Sequence, residues 1–480
     1  MEASRHQPLH LHPTTSFSVL HPGPPPPTAA SAPPPGASPS IASSYSPPSP
    51  LPAPTFPNVF LDINEPYTLS LIQSIFLARQ ESGCPYSISL GPCAGSSPIT
   101  PPAPCTFQLS EYERVAWAEV LAGELFTSNY CVRKGMSRKA QLALFVRRHV
   151  AKHPGSCLGK AVPHTIVVET WAAFEEDAQV TLGDGVKLGV EGMGLGLVDR
   201  LKECAAEVAQ TMDLDQREDT TYILKPSTTN KGAGICLIYC LEQLLDKLAE
   251  LPDIREWVVQ EYVPRPLLLR KRKFHIRAYV LAVSAIQVYF YDEVLVLCAG
   301  TAYDPDATSL FGHITNTAYQ AVDPGFVEEE CVMLLGDVAR ILLEEGRAGS
   351  AEEAGAITAK ILEDMQAVTG ELWSAFKNEQ SVYSPLPGCW EHSGLDFLVD
   401  EDYNVVLLET NPGPDFKQTG SRLNSVVRNM FEETIDLTLG GVPFDKERNG
   451  SAFTKVFDCK VRGGGGAGEI RMRLIGDDAP

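Results

Sequence analysis

Residues 395–413 set carboxylates inside apolar runs, and that pattern limits what the surrounding chain can be. Leu395, Phe397 and Val399 alternate with Asp396, and Asp400-Glu401-Asp402 reads as an exposed turn. A second apolar run then leads into Glu409-Thr410-Asn411. Side chains two apart on a strand share a face, so Glu409 and Asn411 point the same way. Antiparallel pairing brings Asp396 beside them. Buried carboxylates need a partner, and three hard oxygen donors converging on one point suit Mg2+. An acidic surface hairpin is the alternative reading of this stretch.

The rest of the chain is consistent with a folded protein around such a site. Its 480 residues allow about three domains, and 44% hydrophobic with 21% charged residues supports a sizeable core. The net charge of −21 argues against general nucleic-acid binding and against docking on anionic membranes. No apolar run approaches the length of a membrane span. The 12 cysteines are scattered, without paired zinc-ligand spacing, and the N-terminus lacks the pattern of a secretory signal. Reduced thiols and a cytoplasmic location are therefore expected.

Residues 1–57 are dominated by Pro, Ser, Ala and His and read as a disordered tail. Helices are expected over 67–78, 111–125, 137–150, 199–212 and 241–251. Residues 84–105 read as a long loop, 130–134 as a short strand, and 183–196 as a flexible glycine-rich loop. Strands are expected over 164–169, 222–226, 235–239, 257–263, 278–290 and 294–299. Long helical patterns cover 326–345 and 351–377, and 426–439 forms a last helix before a Gly-rich tail.

Between the strands at 222–226 and 235–239 lies a small, polar, glycine-containing loop. Glycine lets backbone N–H groups approach an anion closely, and Lys225 and Lys231 supply positive charge. The Walker pattern is absent. A snorkelling strand-end lysine is the plain alternative for Lys225.

Taken in order, several motifs resemble the tubulin–tyrosine ligase family within the ATP-grasp superfamily. They are Ile223-Leu224-Lys225-Pro226-Ser227 with Lys231-Gly232-Ala233-Gly234, and Val259-Gln260-Glu261-Tyr262-Val263 with Pro266-Leu267-Leu268-Leu269. Next come Arg272-Lys273-Phe274-His275-Ile276-Arg277-Ala278-Tyr279-Val280 and His313-Ile314-Thr315-Asn316. The set ends with Asp396-Phe397 and Glu409-Thr410-Asn411-Pro412-Gly413.

The resemblance implies an α+β ATP-grasp fold, two α+β subdomains clasping ATP, preceded by a small α/β N-terminal region. It divides the chain into a tail (1–57), an N-terminal α/β region (58–215), the ATP-grasp subdomains (216–460) and a flexible Gly-rich tail (461–480). It also implies an ATP-dependent carboxylate–amine ligase that joins an amino acid to a protein through an acyl phosphate. Lys139, Lys225 and Lys231 are expected near the phosphates. Gln260, Glu261, Tyr262 and Val263 are expected at the adenine, with Lys273 and His275 beside the nucleotide. Lys273 and Arg277 are the expected catalytic residues, with Asp396, Glu409 and Asn411 on Mg2+. The expected partners are an amino acid donor and a protein acceptor, tubulin or another protein with an acidic tail that Lys271 and Arg272 could attract.

Three departures from the family pattern stand out. His275 replaces an Asp, Ala233 replaces an acidic residue in the lid, and residues 292–297 carry no arginine for an acceptor's carboxylates. A nucleotide-binding interaction protein without ligase activity is the alternative reading. An ATP-grasp enzyme acting on a small carboxylate is a third.

Overall fold

The computed structural model describes residues 57–83, 86–174, 179–181, 187–189, 196–215, 220–229, 232–306, 309–416, 424–439 and 451–459. Contacts divide the chain into Met1–Pro52 and Ala53–Pro480, and every described residue lies in the second unit. The expected tails at 1–57 and 461–480 therefore fall outside the described residues, save residue 57.

The first sheet is parallel, in the order β2-β1-β3-β4. Its strands are β1 (Asn58–Asp62), β2 (Ser87–Leu90), β3 (Phe107–Ser110) and β4 (Phe126–Thr127). Strand β2 lies inside the stretch expected as a loop. Its backbone groups pair with β1 from Asn58–Ser87 to Leu61–Leu90, which the flanking Pro and Gly residues concealed in the sequence. The helix expected over 111–125 is broken into the turn Tyr112–Arg114 and the helix Trp117–Leu121. Arg114, at the end of that turn, is buried against Asp62. No strand forms over 130–134; Val132 makes only an isolated bridge to Ser384.

The second sheet is antiparallel, in the order β5-β10-β8-β9. Here β5 is Thr165–Glu169, β8 Tyr222–Pro226, β9 Cys236–Ile238 and β10 Glu256–Glu261. A two-stranded ribbon, β6 (Gln179–Thr181) with β7 (Lys187–Gly189), occupies part of the stretch expected as a glycine loop; residues 190–195 lie outside the described set. The helix Leu241–Glu250 buries Leu244, Leu245 and Leu248 under this sheet with Trp257.

The third sheet carries β11 (Leu268–Leu269), β12 (Arg272–Val283), β13 (Gln287–Tyr291), β14 (Leu295–Cys298) and β15 (Val332–Leu334). It is completed by β16 (Trp390–Val399), β17 (Val405–Pro412) and β18 (Phe453–Asp458). The strand expected over 278–290 is really the end of β12, a turn with Ser284 at φ 55°, and β13. The helix expected over 326–345 is interrupted by β15, which pairs with β14.

Strand β12 organises this sheet, and its alternation explains its composition. Phe274, Ile276, Ala278, Val280 and Ala282 face one core with Met365, Leu372, Trp373 and Phe376. Those partners form the buried stripe of the helix Ala351–Phe376, whose start is capped by Ser350 accepting from the Glu353 N–H. On the other face Tyr279, Leu281 and Val283 pack with Phe76, Met430 and Phe431. Each such large side chain contributes about 1.5–3 kcal/mol on burial. Lys273, His275 and Arg277 share that second face but precede the packed part. There residues of the second and third sheets line a common cleft.

Candidate active site

The cleft holds a cavity of about 890 Å³, open to solvent, between β8–β10 on one side and β12, β16 and β17 on the other. Lys139, Lys225, Gln260, Glu261, Tyr262, Val263, Lys273, His275, Asp396 and Glu409 all line it. Arg277 and Asn411 stand just behind, each bonded to Asp396. Lys231 lies outside the described residues.

Strand pairing sets Asp396 opposite Glu409. The pairing slips by one residue just beyond, so that Phe397 opposes Leu407 and Leu408 is extra. This β-bulge decides where Glu409 points. Leu407 faces the core with Phe397, and unbroken alternation would put Glu409 there too. With Leu408 bulged, Leu408 and Glu409 both reach the cavity, and Asn411 follows. Thr410 points the other way and donates to the Met136 carbonyl.

Asp396 is buried and doubly bonded by Arg277, Nε to Oδ1 at 2.5 Å and the terminal nitrogen to Oδ2 at 3.0 Å. Burial favours its neutral form, but Arg277, with His275 Nε2 at 4.0 Å, outweighs this and holds it below the usual carboxylate range. Asn411 Nδ2 lies 3.3 Å from Asp396 Oδ2. Lys139 Nζ sits 3.3 Å from Glu409 Oε2 and donates to the Thr229 carbonyl at 3.0 Å.

Two lysines are held differently. Lys225 Nζ donates to Gln260 Oε1 at 2.7 Å, and Gln260 Nε2 donates in turn to Thr165 Oγ1. Lys273 Nζ donates to the Tyr262 hydroxyl at 2.7 Å, and that hydroxyl bonds His313 Nδ1 at 2.9 Å. Both partners are neutral, so burial lowers Lys225 to about 8. Burial and the nearby Lys225 together lower Lys273 to about 7. His275 is also pushed down by burial, and its Nδ1 bonds Thr315 Oγ1 at 2.7 Å.

The lid loop after β8 turns at Gly232 (φ +76°) and Gly234 (φ +75°). A Cβ on Gly234 would come within 2.8 Å of Pro226 Cγ, so that turn requires glycine. Ser227 anchors the loop to the helix Lys139–Lys152: its Oγ accepts from the Ala140 N–H and its carbonyl from that of Lys139. The apolar walls Pro163, Ile223, Leu398 and Leu408 were not singled out from the sequence. Leu398 had a signal, since it lies two residues from Asp396 on one strand. His313 and Thr315 also enter the cavity, from a loop with no periodic pattern.

Strand β14 sets Leu297 beside His275 and Leu295 beside Arg277, both buried. The basic cluster at 265–277 is largely paired within the chain: Arg265 with Glu401 and Asp402, and Arg270 with Glu344. Every described cysteine is a free thiol. No helix among the described residues is long and apolar enough to cross a membrane.

Residues 186–449 match the model of the tubulin-tyrosine ligase family. A probable tubulin–tyrosine ligase of Schizosaccharomyces pombe is 31% identical over 373 residues, spanning 70% of this chain and 83% of that protein. Another, PBY1 of Saccharomyces cerevisiae, is 27% identical over 410 residues; the match covers 74% of this chain but only 49% of that relative. The crystal structure of the C-terminal domain of K. lactis Pby1, described as an ATP-grasp enzyme interacting with the mRNA decapping enzyme Dcp2, has the same fold. It superposes with a TM-score of 0.58 at 24% identity, covering 84% of this chain and 99% of the other. The family match over more than half of the sequence and the similarity to the fission-yeast protein agree with the cleft just described: this chain is a member of the tubulin–tyrosine ligase family, with the ATP-grasp fold.

Proposed function

We propose that the chain is an ATP-dependent carboxylate–amine ligase that attaches an amino acid to a protein. The convergence of Lys139, Arg277, Asp396, Glu409 and Asn411 at one side of the open cleft carries this reading. The adenine lies against Ile223, Leu398 and Leu408, with its edge at the 260–263 hinge. Lys225, Lys273 and Lys139 meet the phosphates, and His275 lies beside them.

The donor set fits Mg2+. Asp396, Glu409 and the Asn411 amide oxygen are hard ligands, and phosphate oxygens complete the shell. Among the described residues no three His, Cys, Asp or Glu side chains gather into a metal cage. The ion neutralises phosphate charge when bound.

In the reaction the γ-phosphoryl group passes to a carboxylate oxygen and ADP leaves. The donor's amine then attacks the acyl carbon, phosphate departs, and the nitrogen loses a proton. Arg277, bonded to Asp396 behind the cavity, is assigned to the charge that develops on the transferring group. Incubation of the protein with ATP, labelled amino acids and a cell extract tests the proposal. ATP-dependent incorporation into protein, lost in Asp396→Ala, is the expected result; incorporation equal in both proteins overturns it.

A second reading is a nucleotide-binding protein that acts through a partner. The lack of an arginine over 292–297, where the tubulin ligases place one for the acceptor's carboxylates, favours it. The Dcp2 contact of the K. lactis neighbour suggests the kind of partner, a protein of mRNA decapping. Calorimetric ATP binding without turnover in any acceptor screen would select this reading.

A further inference from the structure

The ladder between β14 and β15 ends at a pair of cysteines. Its register runs Leu295–Leu334, Val296–Met333 and Leu297–Val332. One residue further it sets Cys298, the last of β14, opposite Cys331, the last of the helix Glu328–Cys331. The packing follows the same alternation. Val296 and Met333 face one core, Leu297 and Val332 face the other, and Cys298 and Cys331 return to the first. Directly opposed residues share a face and stand about 4.5–5.5 Å apart at Cα. A disulfide needs about 4.4–6.8 Å. Both cysteines are free thiols.

An arginine and an opening to solvent adjoin the pair. One terminal nitrogen of Arg272 lies 3.5 Å from Cys331 Sγ, and the other donates to the Glu330 carbonyl at 3.4 Å. Burial pushes both thiols up, Cys298 to about 12, and the Arg272 guanidinium pulls each of them the other way. The two side chains are covered, at 2% and 3% exposure. Yet Arg272, with Glu330 and Val332 on either side of Cys331, lines a second cavity of about 740 Å³ that is open to solvent. The helix that carries Cys331 is a single turn of four residues, and so short a helix opens locally at little cost.

We propose that Cys298 and Cys331 form a modification site, a thiol pair that hydrogen peroxide converts into a disulfide. Cys331, beside Arg272, gives up its proton and attacks a peroxide oxygen. The O–O bond breaks, Cys331 becomes a sulfenic acid, and the departing hydroxide takes the proton and leaves as water. Cys298 then gives up its proton and attacks the sulfenic sulfur. The S–O bond breaks, the S–S bond forms, and a second water leaves. Two thiols lose two electrons and two protons, and the peroxide gains them. The bond closes the base of residues 299–330, the stretch that carries His313, Ile314 and Thr315 into the main cavity. In a reducing compartment such a bond is transient. The site does not depend on what the cleft binds.

The test treats the full reduced chain with hydrogen peroxide, blocks remaining thiols, and maps peptides without reductant. The expected product is one peptide pair joined through Cys298 and Cys331, lighter by two hydrogens and restored by dithiothreitol. The oxidised chain should melt at a higher temperature than the reduced one, and Cys331→Ser should show neither the joined peptides nor the rise. Arg272→Gln should slow the cross-link about tenfold, as for a rise of about one unit in the attacking thiol's pKa. Cys298 and Cys331 remaining thiols while other cysteines oxidise overturns the proposal. So does a cross-link that forms only once the chain has unfolded, read by circular dichroism. An unchanged rate in Arg272→Gln overturns the assignment of Cys331 as the attacking thiol.

Discussion

The cavity contains two groups of charges, and they are stabilised in opposite ways. Asp396 and Arg277 neutralise each other through two hydrogen bonds inside the third sheet. Lys225 and Lys273 are equally buried, yet their direct partners are the neutral groups of Gln260 and Tyr262. The first pair is balanced in charge as it stands, with Asp396 also lining the cavity. The second group is a set of cations kept partly deprotonated by burial, and a polyanion is what would complete it. One part of the site thus balances its own charge within the fold, and the other is held ready for an anion at some cost to stability.

Removing one member of the closed pair gives the largest expected effect. Asp396→Asn leaves Arg277 buried without its counter-charge, which costs about 3–5 kcal/mol, read by urea denaturation. The same change should lower ATP-dependent turnover by roughly 10²–10³-fold. Equal stability of variant and wild type would show that the pair is not the closed unit described. Lys225→Met should behave in the reverse manner. The lost bond to Gln260 and the relieved burial of the ammonium nearly offset, so stability without nucleotide changes by no more than about 1 kcal/mol. Nucleotide affinity, measured by calorimetry, should fall about tenfold or more.

The open group also predicts a pH dependence. Both lysines have lowered pKa values in the folded chain, to about 8 for Lys225 and about 7 for Lys273. The unfolded chain therefore binds more protons than the folded one above pH 7. Their penalty is present in full below the folded values and is relieved as pH rises, so they make stability climb from pH 7 towards 10, by at most about 1.4 kcal/mol per lysine per pH unit. Phosphates raise both values, so nucleotide binding should take up protons near pH 8. Calorimetry in buffers of different ionisation enthalpy reads that uptake, and its absence would show that the phosphates do not meet these two ammoniums. The smallest effect belongs to the surface: Arg265→Ala breaks exposed pairs with Glu401 and Asp402 and should change stability by less than about 1 kcal/mol, with nucleotide affinity unaltered.

Strong local patterns made much of the fold legible. The helix Ala351–Phe376 carries its own cap and apolar stripe, and appears nearly as expected. Strand β2 was hidden, because a short Ser-Ile-Ser-Leu run between Pro and Gly acquires its hydrogen bonds only from β1. The helix expected over 326–345 is interrupted at Val332–Leu334, between the helices Glu328–Cys331 and Leu335–Glu344, because pairing with β14 satisfies that backbone across the chain. The loop carrying His313 and Thr315 left no periodic trace, since it is shaped by Gln320 bonding to Phe311, Ile314 and Gly300.

The order and chemistry of the residues determined, without coordinates, that a lysine-bearing glycine loop, a hinge and an oxygen-donor pair belong to one protein, because side-chain type and strand period are local properties. Which way those donors face was settled in three dimensions. Alternation alone would send Glu409 to the core with Leu407, and the extra residue at Leu408 turns it to the cavity beside Asp396. The same holds for the partners of the buried charges: Arg277 meets Asp396 across 119 positions of sequence. Register and long-range pairing are fixed by the packing of whole sheets, and no short window of sequence contains that information.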